Sequence, residues 1–455
     1  MNSSILLLTC SAVLFVLMGI QNNVLSALTP EISAFFGLSE SVLDFLYPVS
    51  WIVSFAGTVL IHIFFLKYVA FFRYSVWAIS VAYLLSSLLT ISTFLLKNWL
   101  TNWAVALMTL MSNVLFGFVM VTLSISLETV MNNKFTLAVV YKNNGMWSLI
   151  LLFKYIGWMS SYFVLPLIFS FSMYTFVAAC VASSVIAVCL TVFVHLRFEK
   201  YTTPKVVTNG VTFVKEKYKA LALIVLLNIL SNGTWFALLL FLPQNLQFIG
   251  LFPQEVIVVG MIGGILLATI SWYYTSSPLQ WFIVGVISLA CCSASTIIVD
   301  PSSPVVVSFC AVLLCIGSGG FYSAPYVAAV NLFHNEDVRL AFLWLSASSS
   351  LTIVLLSELF AFIEMSPYTY SIYIPSLLYF VIAIYILWRI YVLLSKISPD
   401  SFKRSAQQIF YFNKETNQVQ DFKEIPQEDH ELNEPNQVEL SLEMEDGDEE
   451  ITFNS

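Results

Sequence analysis

The sequence predicts an all-α membrane protein with twelve transmembrane helices in a 6+6 arrangement. Three observations carry that expectation. Of the 455 residues 59% are hydrophobic and only 10% charged, against about 25% charged in an ordinary soluble domain. Twelve apolar runs each approach the roughly 20 residues that cross a bilayer. The longest basic loop, 196–219, falls after the sixth run and before the seventh.

The first span, 4–27, has no basic segment ahead of it and eleven spans behind it, so it reads as a retained helix and not a cleaved leader. The second, 44–66, opens on Asp44, which suits an N-cap. The third, fourth and sixth, at 70–96, 102–127 and 169–195, are nearly uncharged, while the fifth, 145–166, carries Lys154 at mid-span. The seventh, 219–243, contains "NILSNGTWF", four polar side chains in hydrocarbon-length surroundings. In the eighth, 254–275, and the tenth, 304–330, glycines at 260, 263, 264, 317, 319 and 320 permit close helix approach, and Pro325 permits a kink. The ninth, eleventh and twelfth run over 279–299, 340–363 and 369–394, and Glu358 lies in the eleventh. All seven cysteines fall inside spans without metal-type spacing, which suits packing.

Lys67, Arg73, Lys134, Lys142, Arg197, Lys200, Lys215, Arg339, Arg389 and Lys396 share one side if the N-terminus lies there, and Lys97 is the main exception. That side is cytoplasmic by the positive-inside rule, so both termini are expected in the cytosol of a multi-pass protein of the plasma membrane or an endomembrane. Residues 1–195 then form one six-helix bundle, 196–218 a basic cytoplasmic linker, 219–394 a second bundle, and 395–455 an acidic tail. A 6+6 layout with a cytoplasmic middle loop is that of the major facilitator fold, whose solute site lies near the midplane. The tail, "QEDHELNEPNQVELSLEMEDGDEEI", supplies much of the net charge of −8 and has too little apolar surface for a core. It is expected to be disordered and cytosolic, with docking of a cytosolic protein as the less favoured alternative.

An unsatisfied amide in hydrocarbon costs several kcal/mol, so Asn228, Ser231, Asn232 and Thr234 should face protein or a watery cavity. Asn228 and Asn232 are i,i+4 neighbours able to hydrogen-bond a solute, with Trp235 and Phe236 as a wall. A Lys at mid-helix costs about 3 kcal/mol. Lys154 shares a helical face with Trp147, Leu151, Trp158 and Ser161, and either serves the solute or caps and pairs structurally. Glu358 couples protons or hydrogen-bonds at a helix interface, and its span places it away from Lys154. Tyr322 and Tyr326 follow one another at helical spacing on a central helix. Glu128 and His62, near cytoplasmic ends, carry no assigned role.

Three stretches resemble the feline leukaemia virus subgroup C receptor-related family of major facilitator transporters: "IQNNVLSALTPEISAFFGLSESVLDFLYPVSW" (20–51), "NGTWFALLLFLPQNL" with "VGMIGGILLATISWYYT" (232–275), and "GSGGFYSAPYVAAVNLF" through "LWLSASSS" (317–350). The resemblance implies a carrier of choline-like or ethanolamine-like solutes, or of haem-related ones. It also implies an aromatic cage. Where the family has a first-helix tryptophan this chain has Asn22, and where it has a seventh-helix tyrosine the chain keeps Phe236 beside Trp235. The family's fifth-helix Asn-Gln-Leu-Gly stands here as Lys154, Tyr155, Ile156 and Gly157, and its eleventh-helix glutamine falls on Ser350. The facilitator signature between the second and third helices keeps only Lys67 and Arg73.

No phosphate-binding loop, nucleophile elbow or metal-ligand spacing occurs, so the chain reads as a non-enzyme without cofactor or metal, binding no nucleic acid. Transport would be facilitative or ion-coupled, by a monomer moving a small organic solute through the lipid bilayer. The competing reading is a receptor or scaffold that kept a carrier fold.

Overall fold

The computed structural model describes residues 3–396 except 40–41, 44–45, 47, 61–68, 139–143, 200–209, 240–252, 275–276, 298–302, 334–335 and 365–372. Within helices, some side chains also lie outside the described residues, among them those of Glu128, Trp147 and Glu358, as do Asp44, His62 and the tail. The helices are α1 (Ser3–Asn22), α2 (Val24–Ala27), α3 (Thr29–Phe36), α4 (Pro48–Leu60), α5 (Val69–Leu95), α6 (Asn102–Ala138), α7 (Asn144–Phe171) and α8 (Met173–Arg197). They continue as α9 (Gly210–Asn228), α10 (Pro253–Tyr274), α11 (Pro278–Ser295), α12 (Pro304–Phe321), α13 (Ala324–Leu332), α14 (Glu336–Glu364) and α15 (Tyr373–Lys396).

Among the described residues eight helices are long and apolar enough to cross a membrane, and four shorter apolar ones cover Leu6–Asn22, Pro48–Leu60, Glu255–Ile270 and Leu340–Leu356. Each overlaps one of the twelve expected spans. Helix starts follow capping chemistry. Ser172 accepts the Thr175 amide at 3.0 Å and Ser277 the Gln280 amide at 3.2 Å, while Pro278 and Pro304 open their helices without losing a bond. Gly37 ends α3 with φ of 67°, a left-handed position that a side chain would strain.

Three spans expected as continuous helices are interrupted. The first breaks after Asn22, where the Asn23 amide turns back to the Ile20 carbonyl at 3.3 Å. The tenth breaks between Phe321 and Ala324, because Pro325 lacks an amide hydrogen and disfavours helical geometry before it. The seventh carries a π-helical turn at Ile229–Gly233, a widened turn that collects at functional sites. The same span starts earlier than expected, since α9 begins at Gly210 and passes a non-helical Lys217.

The first-half spans meet the second-half spans along two seams, α7 against α10 and α4 against α14, with α13 also touching α7. Small residues set the approach. An added Cβ on Gly264 would overlap the Tyr155 hydroxyl and stand 2.5 Å from the Cys315 carbonyl, and one on Gly319 would overlap the Gly264 carbonyl. Within the first half, Gly19 and Gly157 let α1 and α7 touch backbone to backbone, a Cβ on Gly157 lying 2.5 Å from the Val16 Cα.

Candidate functional site

At these seams lies a cavity enclosing about 480 Å³ of non-atom space, part of it open to solvent. Its first-half walls are Met18, Gly19 and Asn22 of α1, Trp51 of α4, Met120 of α6, and Lys154 and Trp158 of α7. Its second-half walls are Phe236, just past the π turn, Tyr322 and Tyr326 at the tenth-span break, and Ser346 and Ser349 of α14. All three helix interruptions therefore reach this cavity through side chains beside them: Asn22, Phe236, and Tyr322 with Tyr326.

Of the residues singled out in the sequence, the cavity brings together Asn22, Lys154, Phe236, Tyr322 and Tyr326. Tyr155, Asn228, Asn232, Trp235 and Ser350 do not line it; all five are buried to 1% exposure or less. Glu358 falls in α14, and its side chain is outside the described residues. The sequence reading passed over Trp51, Ser346 and Ser349. A tryptophan inside an apolar run, away from the interfacial belts, was the available signal for Trp51.

The seventh-span amides are committed to protein. Asn228 Nδ2 faces the Leu345 carbonyl at 2.8 Å and the hydroxyls of Ser348 and Ser349 at 2.9 and 2.7 Å. Asn232 Nδ2 donates to Asn228 Oδ1 at 2.9 Å and to the Tyr322 carbonyl at 3.2 Å, and Asn232 Oδ1 accepts from the Trp235 indole at 2.9 Å. The polar run thus locks the π turn to the tenth and eleventh spans. In this conformation its amides do not face the cavity.

An aromatic cluster joins the halves. Phe236 stacks on Trp235 at 4.0 Å and meets Trp158 edge-on at 4.2 Å and Trp51 at 5.9 Å. Tyr155 donates to the Cys315 carbonyl at 2.7 Å, and its ring lies 6.1 Å from those of Trp235 and Tyr322. Tyr162, about one turn along α7 from Trp158 and two from Lys154, donates to the Leu239 carbonyl at 3.2 Å. That bond crosses the halves beyond the aromatic cluster.

The cavity's polar character is donor-rich. The indole N–H groups of Trp51 and Trp158, both lining residues, find no acceptor among the described residues. Lys154 is half-buried, with its Nζ 6.0 Å from the Phe15 ring centroid, so one wall carries a cation. Of the two tryptophans on its helical face, Trp158 shares the cavity with Lys154, and the Trp147 side chain is outside the described residues. No group of three or more His, Cys, Asp or Glu that could hold a metal occurs among the described residues.

No family model and no curated protein matches the chain. Solved structures do. The proton:xylose symporter XylE bound to 6-bromo-6-deoxy-D-glucose aligns with a TM-score of 0.59 at 14% identity, covering 86% of this chain and 96% of that one. A bacterial homologue of the iron transporter ferroportin, in its outward-facing state, aligns at 0.61 and 14% identity over 84% of this chain and 99% of that one. The major facilitator superfamily transporter FucP, in its outward conformation, aligns at 0.58 and 13% identity over 86% and 99%. The protein is a multi-pass, all-α membrane protein. Its twelve spans have the 6+6 major facilitator fold.

Proposed function

We propose that the protein is a carrier that moves a small organic solute across a bilayer by alternating access, with solute held in the cavity between the halves. One observation carries the reading. Both halves line a single cavity whose walls include Lys154, Trp51 and Trp158, and the buried indole N–H groups of the two tryptophans have no acceptor among the described residues. Buried donors of that kind cost about 1–3 kcal/mol each unless something accepts from them, so a guest bearing acceptors gains by entering. A zwitterion or neutral polar solute therefore fits better than a simple cation, which would meet Lys154 inside a weakly polarisable space. The aromatic rings supply shape, and could still hold an amine-bearing end by cation–π contact, as in the choline-like and ethanolamine-like solutes of the resembling family.

In this reading residues 1–195 and 219–394 are the rocking bundles, 196–218 is the linker, and 395–455 is a cytosolic tail available to a protein partner. Both termini face the cytosol of the plasma membrane or an endomembrane, and the monomer is the working unit. An untargeted metabolite comparison of cells with and without the protein identifies solutes, and saturable uptake into proteoliposomes confirms them. Lys154→Gln and Trp158→Phe should each raise KM about 10-fold for an acceptor-bearing solute, the equivalent of one charge-assisted bond. If Lys154→Gln leaves affinity intact while Trp235→Ala abolishes binding of a quaternary amine, the solute is a cation and Lys154 is structural. If no solute shows saturable flux, the fold serves as a receptor or scaffold.

A further inference from the structure

A second cavity lies wholly within the first-half spans, bounded by α1 to α6 and α8, with about 790 Å³ of non-atom space including its open side. No residue lining it is charged, yet it is lined by oxygen: Ser86, Ser87, Thr90 and Thr93 of α5, Thr109, Ser112 and Asn113 of α6, Ser50 of α4, and Gln21 and Asn22 of α1. Where their hydrogens go decides what it can hold.

Thr93 donates to the Leu89 carbonyl at 2.7 Å and Thr109 to the Val105 carbonyl at 2.9 Å. Ser112, Ser86 and Thr90 share their hydrogens among the Ser86 and Ser112 carbonyls and one another at 2.9–3.1 Å. Ser184 donates to the Cys180 carbonyl at 2.7 Å, which leaves Ser87 to donate to the Ser184 hydroxyl. Gln21 Nε2 gives both of its hydrogens, to Ser183 and Ser184 at 3.1 and 3.2 Å, and Asn113 Nδ2 gives one to the Leu46 carbonyl at 3.1 Å. Apart from the Asn22 amide and the second Asn113 hydrogen, what these side chains have left to offer is lone pairs. Gln21 Oε1 is the sharpest case, buried and accepting from nothing among the described residues.

We propose that this cavity is a binding site for a small monovalent cation, either an alkali ion or a primary ammonium, held by neutral oxygens. A wall that has spent most of its donors on its own helices presents mainly partial negative charge. A cation satisfies such oxygens and brings no acceptor of its own, whereas each hydroxyl of a neutral polyol brings lone pairs for which the wall has few donors. Hard monovalent and divalent ions take oxygen ligands. Phe36, Phe94 and Phe116 also line the cavity, and an aromatic ring face favours positive charge. The first-span break contributes too, because α1 ends at Asn22 and a helix C-terminus carries partial negative charge. Asn22 lines both cavities, with its Oδ1 accepting from the Ser50 hydroxyl at 3.3 Å. Through Asn22 a bound cation reaches the solute cavity, so the site is placed to couple ion and solute. Only that coupling role rests on the carrier reading.

The test needs no solute. The purified full-length protein is melted in detergent with sodium, lithium, potassium or methylammonium chloride, against N-methyl-D-glucamine chloride at equal ionic strength, and separately with erythritol. A small cation should raise the melting temperature saturably, by about 2–4 °C at 100 times its Kd. Sodium or lithium acting alone identifies an alkali ion, methylammonium alone an ammonium. Ser112→Ala should weaken the response about 10-fold in Kd, and Gln21→Glu should strengthen it by at least as much by adding a carboxylate. Equal melting in all chlorides, stabilisation by erythritol alone, or a Gln21→Glu protein with unchanged or weaker response would each overturn the assignment. Absence of solute flux would leave this result untouched, so the two proposals fail separately.

Discussion

Replacing Asn232 with alanine separates a structural from a solute-binding role for the seventh-span amides. The side chain is fully buried and makes three described hydrogen bonds. Its loss strands the Trp235 N–H and Asn228 Oδ1, and the Tyr322 carbonyl loses its Asn232 donor. Two stranded groups at about 1–3 kcal/mol each set an upper range near 6 kcal/mol, but bonds between spans in membranes average only about 0.6 kcal/mol because partners are found elsewhere. A cost of about 2–4 kcal/mol lies between these limits. For a chain of this size that lowers the apparent melting temperature by roughly 3–5 °C. The assay is thermal unfolding in detergent, run beside solute uptake. Unchanged melting together with lost uptake would refute the structural account and return Asn232 to the solute.

Three further outcomes follow from the packing. Gly264→Ala should cost about 1–3 kcal/mol by driving the new methyl against the Tyr155 hydroxyl and the Cys315 carbonyl; Gly263→Ala meets the Ile316 side chain instead and should cost less, and equal melting of the two would refute that ranking. Tyr162→Phe removes a bond between the halves worth about 0.5–1.5 kcal/mol, so the conformer open on that side should rise about 2–10-fold, measured as accessibility of a cysteine placed beside Leu239. Glu31, outside the spans, has its carboxyl pushed up by burial, opposed by a weaker backbone hydrogen bond, and its Oε2 is buried with no partner among the described residues. The folded form then keeps a proton that the unfolded form releases, so stability should fall as pH rises from the ordinary carboxylate range through the raised value, and level off above it. Glu31→Gln should flatten that slope in melting curves taken from about pH 4 to pH 8; a slope identical to the parent would show that other groups cause it.

Composition and the spacing of apolar runs determined that this chain is a twelve-span helical membrane protein, because burial in hydrocarbon leaves a helix few alternatives and each span needs its length regardless of neighbours. The central basic loop divided those spans evenly, and Lys154, Tyr322, Phe236 and Asn22 stood out as polar or aromatic groups at depth. What those groups do was a tertiary matter. Helical periodicity shows which residues share a face but not what that face meets. Asn228 and Asn232 looked like solute ligands from one strand of text, and only the approach of α14 and the tenth span showed their hydrogens going to Leu345, Ser348, Ser349 and the Tyr322 carbonyl. Trp51 and Ser349 became cavity walls for the same reason, since they come from spans far apart in the chain. The π turn was invisible because each residue in Ile229–Gly233 tolerates an ordinary helix. The hydroxyls of the third and fourth spans read as unremarkable serines and threonines. Whether a hydroxyl shows its hydrogen or its lone pairs to a cavity depends on which carbonyl stands one turn behind it and which helix stands opposite, and only the assembled bundle decides both.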